Sequence, residues 1–219
     1  MAKRARAPRG RPGLRAKRRT TYHHGHLREA LLEAAERMIE EEGPETVTVR
    51  EAARRAGVSP GAPFRHFATR TALMTGVAER AMKRFLDEIA RAEAAVDPGD
   101  PAKRYAALGR AYLRWAMRHP AQFRVLATRS LIDFDGSESL ARDNDAIRAL
   151  MQAIVADGQR RGRMCAADPA TVELTAKALS YGLARMYVDG HFPQWGVAKR
   201  DAEAAMQRVL DFFLALITR

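Results

Sequence analysis

The chain has 219 residues, of which 47% are hydrophobic, and this is enough to bury a core in one helical body or in a small domain joined to a larger one. Its net charge of +12 suggests nucleic acid or an anionic membrane as the partner. No apolar run approaches the roughly 20 residues of a membrane span, which argues against an integral membrane protein.

Cysteine usage and the start of the chain bear on the cellular compartment. Cys165 is the only cysteine, which excludes an intrachain disulfide and agrees with a reducing environment. The Arg-rich start lacks the apolar segment of a secretory signal, although an organellar transit peptide is a competing interpretation. We therefore expect a cytoplasmic protein.

Residues 1–21 are predicted to form a disordered basic arm, because they are rich in Arg, Pro and Gly and hold almost no large apolar residue. The arm carries nine basic residues and no acidic one, so most of the net charge lies here. Its Arg9-Gly10-Arg11-Pro12 resembles the core of an AT-hook, in which two arginines lie in the narrow minor groove of A·T-rich DNA. The alternative is a solvated arm in which Arg9 and Arg11 touch phosphates without sequence preference.

Residues 23–42 are predicted to form the first helix, which ends at Gly43-Pro44. Its apolar residues recur at helical spacing and define one buried stripe, made of Leu27, Leu31, Ala35, Met38 and Ile39. The charged residues, Glu36 among them, are expected on the opposite face. Three histidines suggest a metal site, but no cysteine or acidic residue has matching spacing, so we expect no bound metal; they are His23, His24 and His26.

A short second helix is predicted to start after Thr48, which can cap it, and Glu51 three residues later completes a capping box. Gly57 stands where a helix needs a left-handed C-terminal residue. A third short helix follows, with Ser59 as its cap and Pro60 at its first position. Two short helices joined by a Gly-containing turn are typical of a helix-turn-helix, whose second helix enters the major groove of DNA.

The third helix is expected to bury Pro63 and Phe67, which are four residues apart. Its outward face then carries Ala62, Arg65 and His66, with Phe64 on the flank. Pro60, Gly61 and Pro63 crowd its first turn, and a proline cannot donate an intrahelical hydrogen bond, so an irregular start is expected.

A long fourth helix is predicted from Arg70 to about Arg91, with Thr69 as its cap, and it would link the DNA-reading head to the rest of the chain. A Pro- and Gly-rich break follows at residues 94–101. We accordingly place a helix-turn-helix domain with its linking helix at residues 22–92 and a helical ligand-binding and dimerisation domain at residues 93–219.

The C-terminal part contains helical stripes and no alternating strand pattern, so the fold class is predicted to be all-α. Its aromatic and methionine residues are candidates to line a ligand cavity, although ordinary core packing is the alternative for each one. The candidates are Tyr112, Trp115, Met151, Tyr181 and Met186.

The last helix, from about Lys199, is apolar on two adjoining stripes, which is more than one monomer face needs. A two-fold pairing with a second copy of the chain would bury the additional stripe. The predicted interface residues are Met206, Val209, Leu210, Phe212, Phe213 and Leu216.

Several of these segments together resemble the tetracycline-repressor (TetR) family. The matching residues occur in the family's order and spacing between Tyr22 and Ala81, and they are Tyr22 to Arg28, Gly57-Val58-Ser59, Phe64-Arg65-His66-Phe67 and Arg70. A looser match, Tyr181 to Gly190, looks like a C-terminal region found in one branch of the family.

The resemblance implies a homodimeric transcriptional regulator, a repressor, that binds a palindromic operator in double-stranded DNA and responds to a small molecule. Arg50 and Arg65 would read base edges, since arginine matches the two major-groove acceptors of guanine. Thr48, His66 and Arg70 would contact phosphates. The other residues placed at the DNA are Gly61, Ala62 and Phe64; the family usually has tyrosine where Phe64 stands, and phenylalanine lacks the hydroxyl that touches a phosphate.

Two other function classes are weighed against this one. An architectural DNA-binding protein would use the arm and the head without any small-molecule effector. An enzyme is not expected, because no nucleophile elbow, Gly-rich phosphate loop or metal-ligand run occurs, and we expect no cofactor. Cys165 has no sequence-evident histidine partner and is interpreted as a small hydrophobe.

Overall fold

The computed structural model describes residues 24–218, with side chains from Leu27 onward, and within that range the chain forms eight α-helices and no β-strand. The all-α prediction is confirmed for this range. The helices are α1 His24–Glu42, α2 Val49–Arg55, α3 Arg70–Ala94, α4 Pro101–Arg118, α5 Pro120–Ala127, α6 Glu138–Arg160, α7 Pro169–Val188 and α8 Ala202–Ile217. The predictions made for the arm, with Arg9 and Arg11, and for the histidine side chains at the start of α1 lie outside the described residues.

The predicted apolar stripe of α1 is buried, with Leu31, Ala35 and Met38 fully excluded from solvent. Glu36 differs from the expectation, because it is also buried although it was placed on the outer face. Helix α3 packs along that side of α1, and Arg84 Nη2 donates to Glu36 Oε2 at 3.1 Å. A second cation from α3, Arg80, lies 3.5 Å from Glu36 Oε1 through its Nε, so two arginines offset the buried carboxylate.

The third helix is shorter than predicted and consists of a single 3₁₀ turn, Pro63–Arg65. Pro63 has no N–H to continue a helical ladder, and Pro60 and Gly61 immediately before it disfavour a regular first turn. The expected inward face is confirmed nonetheless, because Pro63 and Phe67 are both buried and the Phe67 N–H donates to the Pro63 carbonyl at 2.9 Å.

Helix α3 connects the head to the body and is capped as predicted, with Thr69 Oγ1 accepting from the Ala72 N–H at 3.0 Å. Near its start, Gly76 allows a close approach to the head, since a Cβ there would lie 3.0 Å from Leu32 Cδ2 and from Phe67 Cε1. Further along, α3 packs against α4, α5 and α6. The buried apolar side chains therefore form one continuous core that runs from the head into the body.

Helix α4 is central to the body, where it contacts α3, α6, α7 and α8. Gly109 permits the contact with α8, because a Cβ at this position would lie 3.0 Å from Leu210 Cδ1. The short helix α5 reaches back to the head, where Gln122 Nε2 donates to Glu40 Oε1 at 3.1 Å. None of the described helices is both long and apolar enough to cross a bilayer.

Candidate functional site

The turn between α2 and the 3₁₀ segment has the geometry that its residues predict. Thr48 Oγ1 accepts from the Glu51 N–H at 3.1 Å, and Gly57 has a φ of 69°, in the left-handed region. Only this half of the capping box is present in the described contacts, because the Glu51 carboxylate turns to Arg54 and Arg55 instead. Their hydrogen bonds lower the pKa of Glu51 to about 2.

The surface of the head carries most of the predicted DNA-binding residues. Those that are exposed are Thr48, Arg50, Gly61, Phe64 and Arg65, while Ala62 and His66 are half-buried. Among the described contacts, Arg50 and Arg65 make no ion pair and no side-chain hydrogen bond, so their guanidinium donors are available to a ligand. Arg54 and Arg55, which lie between them in sequence, are paired with carboxylates.

Arg70, which is predicted to contact a phosphate, is hydrogen-bonded within the head. Its Nε donates to the Val47 carbonyl at 2.8 Å and its Nη2 to the Pro44 carbonyl at 2.6 Å. The side chain is half-buried and ties the segment before α2 to the start of α3. Two nitrogens of its guanidinium already have acceptors, so Arg70 positions the head, and its phosphate contact stays a prediction.

A cavity of about 440 Å³ lies in the body between helices α3 to α8. Four of the five predicted ligand residues line it, namely Tyr112, Trp115, Met151 and Tyr181. The fifth, Met186, is not among the lining residues, because it lies near the end of α7, where its carbonyl accepts from the His191 N–H. Eight of the lining side chains are aromatic, and sequence reasoning missed five of them as lining residues: Phe85, Tyr105, Phe123, Phe134 and Phe213.

The aromatic side chains of the cavity contact one another. Ring centroids are 5.0 Å apart for Phe85 and Trp115 and 5.4 Å apart for Phe85 and Tyr112. Burial raises the pKa of the Tyr112 hydroxyl, so this group stays protonated and remains a hydrogen-bond donor. Apolar stripes in α3, α4 and α5 predict that these residues are buried, but the pattern carries no signal for which of them border an empty space.

A set of hydrogen bonds that the sequence does not indicate connects the body to the head. Glu79 of α3 accepts from Ser137 Oγ at 2.9 Å and from Ser139 Oγ at 3.1 Å through its Oε1. Its Oε2 accepts from Arg28 Nη2 of α1 at 3.4 Å. The Ser137 hydroxyl also caps α6, where it accepts from the Leu140 N–H. One carboxylate therefore contacts both the head and the start of a helix that lines the cavity.

Helix α8 does not present all six of the predicted interface residues. Val209, Phe212 and Leu216 are exposed, and Phe212 is 68% exposed. Met206, Leu210 and Phe213 are instead buried in the core of this same chain, and Phe213 is only 8% exposed. These three residues form one of the two apolar stripes of α8, and this stripe packs within the chain, on the side of α4 and the cavity. This corrects the interface prediction for all three.

No group of three or more His, Cys, Asp or Glu side chains in the described part of the chain is arranged to hold a metal ion. Cys165 is half-buried, and its backbone N–H donates to the Ile217 carbonyl at 2.8 Å.

Two family models match the chain. One, described as bacterial regulatory proteins of the tetR family, matches residues 31–77. The other, described as a Tetracyclin repressor-like C-terminal domain, matches residues 105–213. A comparison with curated proteins finds no match. The two matched ranges cover the helix-turn-helix and most of the cavity.

Solved structures share this architecture over nearly the whole chain. A protein of unknown function from Rhodococcus sp. RHA1 is 28% identical, with a TM-score of 0.75 over 91% of this chain and 99% of that chain. A regulatory protein of the tetR family from Rhodococcus RHA1 is 22% identical, with a TM-score of 0.65 over 87% and 96% of the two chains. The ketosteroid transcriptional regulator KstR2 of Mycobacterium tuberculosis is 21% identical, with a TM-score of 0.64 over 88% and 95%. The last two likenesses show the fold alone.

Proposed function

The chain belongs to the TetR family and is a transcriptional regulator, and from this premise we propose that it acts as a homodimeric repressor whose operator binding is modulated by a small molecule. The proposed operator is palindromic double-stranded DNA, and the proposed effector site is the cavity of the body. Since the family is regulatory rather than enzymatic, we propose no catalysed reaction and no cofactor. We propose that it acts in the cytoplasm, on chromosomal DNA.

The observation that supports the proposed DNA contact is that the side chains of Arg50 and Arg65 are exposed and unpaired among the described residues. This leaves their planar forks free for guanine O6 and N7. Arg65 lies on the 3₁₀ turn and Arg50 lies near the start of α2. Thr48 retains its hydroxyl proton for a phosphate, because only its oxygen is used as the helix cap.

The smaller residues around Arg65 suit a close approach to DNA. Gly61 has no atom within 4 Å of an added Cβ, and Ala62 is small, so this part of the turn has no large side chain to hold the groove away. Phe64 is exposed beside them and offers an apolar surface to a thymine methyl or a sugar. His66, half-buried behind the turn, is proposed to contact a phosphate.

The proposed dimer rests on an exposed apolar face formed by α7 and α8. Val209, Phe212 and Leu216 recur at helical spacing on α8, and Leu174 and Tyr181 are exposed on α7. An exposed apolar surface formed by two neighbouring helices marks an interaction site, and a two-fold axis would bring the same face of a second copy against it.

The proposed effector response uses the contacts of Glu79. A ligand that moves α6 in the cavity changes the position of Ser137 and Ser139, which donate to Glu79. Glu79 in turn contacts Arg28 of α1, so the orientation of the head depends on the same carboxylate. A ligand exerts this effect only if it binds the two arrangements with different affinity.

The function is tested by selecting binding sites from a random double-stranded DNA library with the purified protein. We expect a two-fold symmetric site with a preferred sequence in each half. Arg50→Ala and Arg65→Ala should reduce base preference, whereas the adjacent Arg54→Ala is the control, because Arg54 is already paired with Glu51. Binding of similar strength to every sequence would contradict the proposal and favour the architectural alternative.

A further inference from the structure

We infer that the cavity takes an uncharged, mainly apolar molecule that carries a hydrogen-bond-accepting oxygen, and that the Tyr112 hydroxyl donates to this oxygen. The inference rests on the proposed function, which makes this cavity the effector site, and it specifies the chemical class of the effector. It excludes carboxylates, phosphates and quaternary ammonium compounds as the class that this cavity prefers.

The size and walls of the cavity favour an apolar occupant. Its volume of about 440 Å³ lies toward the lower end of the ~300–1,000 Å³ range in which proteins enclose drug-sized ligands. Aromatic faces from four helices border it, with Phe85 on α3, Tyr112 on α4, Phe123 on α5 and Tyr181 on α7. Such walls gain free energy from apolar surface, and especially from the flat faces of rings.

The charges around the cavity argue against an ionic occupant. Lys177 is the only charged side chain among its described lining residues, and its Nζ lies 2.7 Å from Glu173 Oε1. Glu173 is itself buried and also accepts from Gln152 Nε2 at 3.2 Å. The lysine charge is therefore already balanced, and an anionic ligand that approached it would be repelled by the buried carboxylate of Glu173.

A cationic ligand would meet a different obstacle. The aromatic faces attract a cation, but no unpaired carboxylate lines the cavity in the described structure to offset the loss of its hydration. An uncharged molecule avoids both costs. The lining therefore disfavours both anionic and cationic molecules, whatever their shape.

The donors of the cavity wall favour an oxygen acceptor on the ligand. Among the described contacts the Tyr112 hydroxyl has no hydrogen-bond partner, whereas the hydroxyl of Tyr105, on the same helix, donates to the Val172 carbonyl at 3.4 Å. Trp115, whose ring centroid is 6.5 Å from that of Tyr112, buries its Nε1–H without an acceptor in this part of the chain. The Trp115 group is closed off by its neighbours, whereas the Tyr112 hydroxyl borders the cavity and can donate to an occupant, so a molecule with an accepting oxygen there binds better than a hydrocarbon of equal size.

The experiment compares four probes that share one non-aromatic carbon frame: 4-cyclohexylcyclohexanone, 4-cyclohexylcyclohexanecarboxylate, 4-cyclohexylcyclohexyl-trimethylammonium and bicyclohexyl. The full chain with Trp195→Phe is used for fluorescence, because Trp195 is 72% exposed and its removal leaves Trp115 in the cavity wall as the only tryptophan. Calorimetry on the unmodified chain gives the dissociation constants independently.

We expect the ketone to bind at least about tenfold more tightly than either charged probe, because neither charge finds an unpaired counter-charge. We also expect it to bind about three- to tenfold more tightly than bicyclohexyl, because of the hydrogen bond. In Tyr112→Phe this advantage of the ketone over the hydrocarbon should fall below about twofold. Tyr105→Phe is the matched control and should keep the advantage, since the Tyr105 hydroxyl is already engaged.

Three results would overturn the inference: equal or tighter binding of the carboxylate, equal or tighter binding of the ammonium compound, or no detectable binding of the ketone. Operator binding is measured in parallel on the same preparations. If the ketone binds as expected but leaves operator affinity unchanged, the ligand class stands and the effector response in the proposed function fails. If the chain binds its operator but the ketone does not bind more tightly than the other probes, the inferred ligand class fails and the proposed DNA binding stands.

Discussion

Among single side chains, the arginines of the head divide into two groups with different roles. Arg54, Arg55 and Arg70 already donate to carboxylates or carbonyls, so few of their nitrogens remain for DNA. Arg50 and Arg65 are exposed and have no partner in the described part of the chain. The proposed distinction between supporting and base-reading arginines therefore rests on pairing and not on position along the motif.

We predict that Arg65→Ala and Arg70→Ala fail in different ways. Arg65→Ala should cost ~1–3 kcal/mol of operator binding and flatten preference at one base pair in each half-site, with thermal stability unchanged. Arg70→Ala leaves the carbonyls of Val47 and Pro44 without their donor and should lower the free energy of unfolding by about 1–3 kcal/mol while base preference is kept. Binding to single-base operator variants and thermal unfolding measure the two effects; loss of base preference in a fully stable Arg70→Ala would contradict this assignment.

Among the helices, α3 is the element through which the cavity and the head share contacts. It lines the cavity with Met82, Phe85 and Ile89, and one to two turns earlier it presents Glu79 to α1 and to the start of α6. Because a packed helix moves as a unit rather than bending freely, we expect a displacement at the cavity to reach the head through these contacts.

We predict that Glu79→Gln uncouples the two sites. Removing the charge weakens the contact with Arg28 and the hydrogen bonds from the two serines of α6, so the ketone probe should shift operator affinity at least severalfold less than in the parent. Its affinity for the cavity should change less than about twofold. Glu88→Gln is the control on the same helix, since Glu88 pairs with Arg91 and Arg118 of the body. Undiminished coupling in Glu79→Gln would rule out this route.

For the whole molecule, two adjacent phenylalanines of α8 allow the proposed dimer to be tested separately from folding. Phe212 is exposed and Phe213 is buried against the cavity, so they face different surroundings although they are neighbours in sequence. We predict that Phe212→Arg yields a folded monomer in sedimentation, because only the proposed interface would bury its charge. Phe213→Arg should lower the free energy of unfolding by more than ~3 kcal/mol, because its charge is buried within one chain. A parent protein that sediments as a stable monomer would contradict the proposed dimer.

The basic arm, residues 1–21, is expected to affect the affinity of the whole molecule for DNA. Deleting residues 1–21 removes nine positive charges, so we predict weaker operator binding with a smaller dependence on salt concentration. If Arg9 and Arg11 enter the minor groove, replacing both by alanine should lower affinity most where A·T-rich DNA flanks the operator. Equal loss with every flanking sequence would leave the arm a phosphate-binding segment. Affinities measured over a salt series on two flank compositions distinguish these outcomes.

Local signals in the sequence predicted the helices well. Thr48 and Thr69 cap α2 and α3 as expected, Gly57 adopts its left-handed conformation, and the apolar stripe of α1 is buried. The prolines at 60 and 63 likewise indicated an irregular third element, although the reduction to a single 3₁₀ turn went further than expected. Caps, turns and periodicity depend on residues a few positions apart, which is why a single sequence displays them.

The structure alone decided what each face of a helix contacts. Periodicity marks Met206, Leu210, Phe212 and Phe213 as apolar, but the approach of α4 at Gly109 places three of them in the core and leaves Phe212 outside. In the same way, the pairing of Glu36 with α3 and of Arg70 with two carbonyls depends on segments more than twenty residues away. The amino-acid sequence thus sufficed for the long helices, the family and the turn after α2, because these follow from neighbouring residues. The lining of the cavity, the contacts of Glu79 and the roles of the arginines depend on packing between distant segments, and only the folded chain brings those segments together.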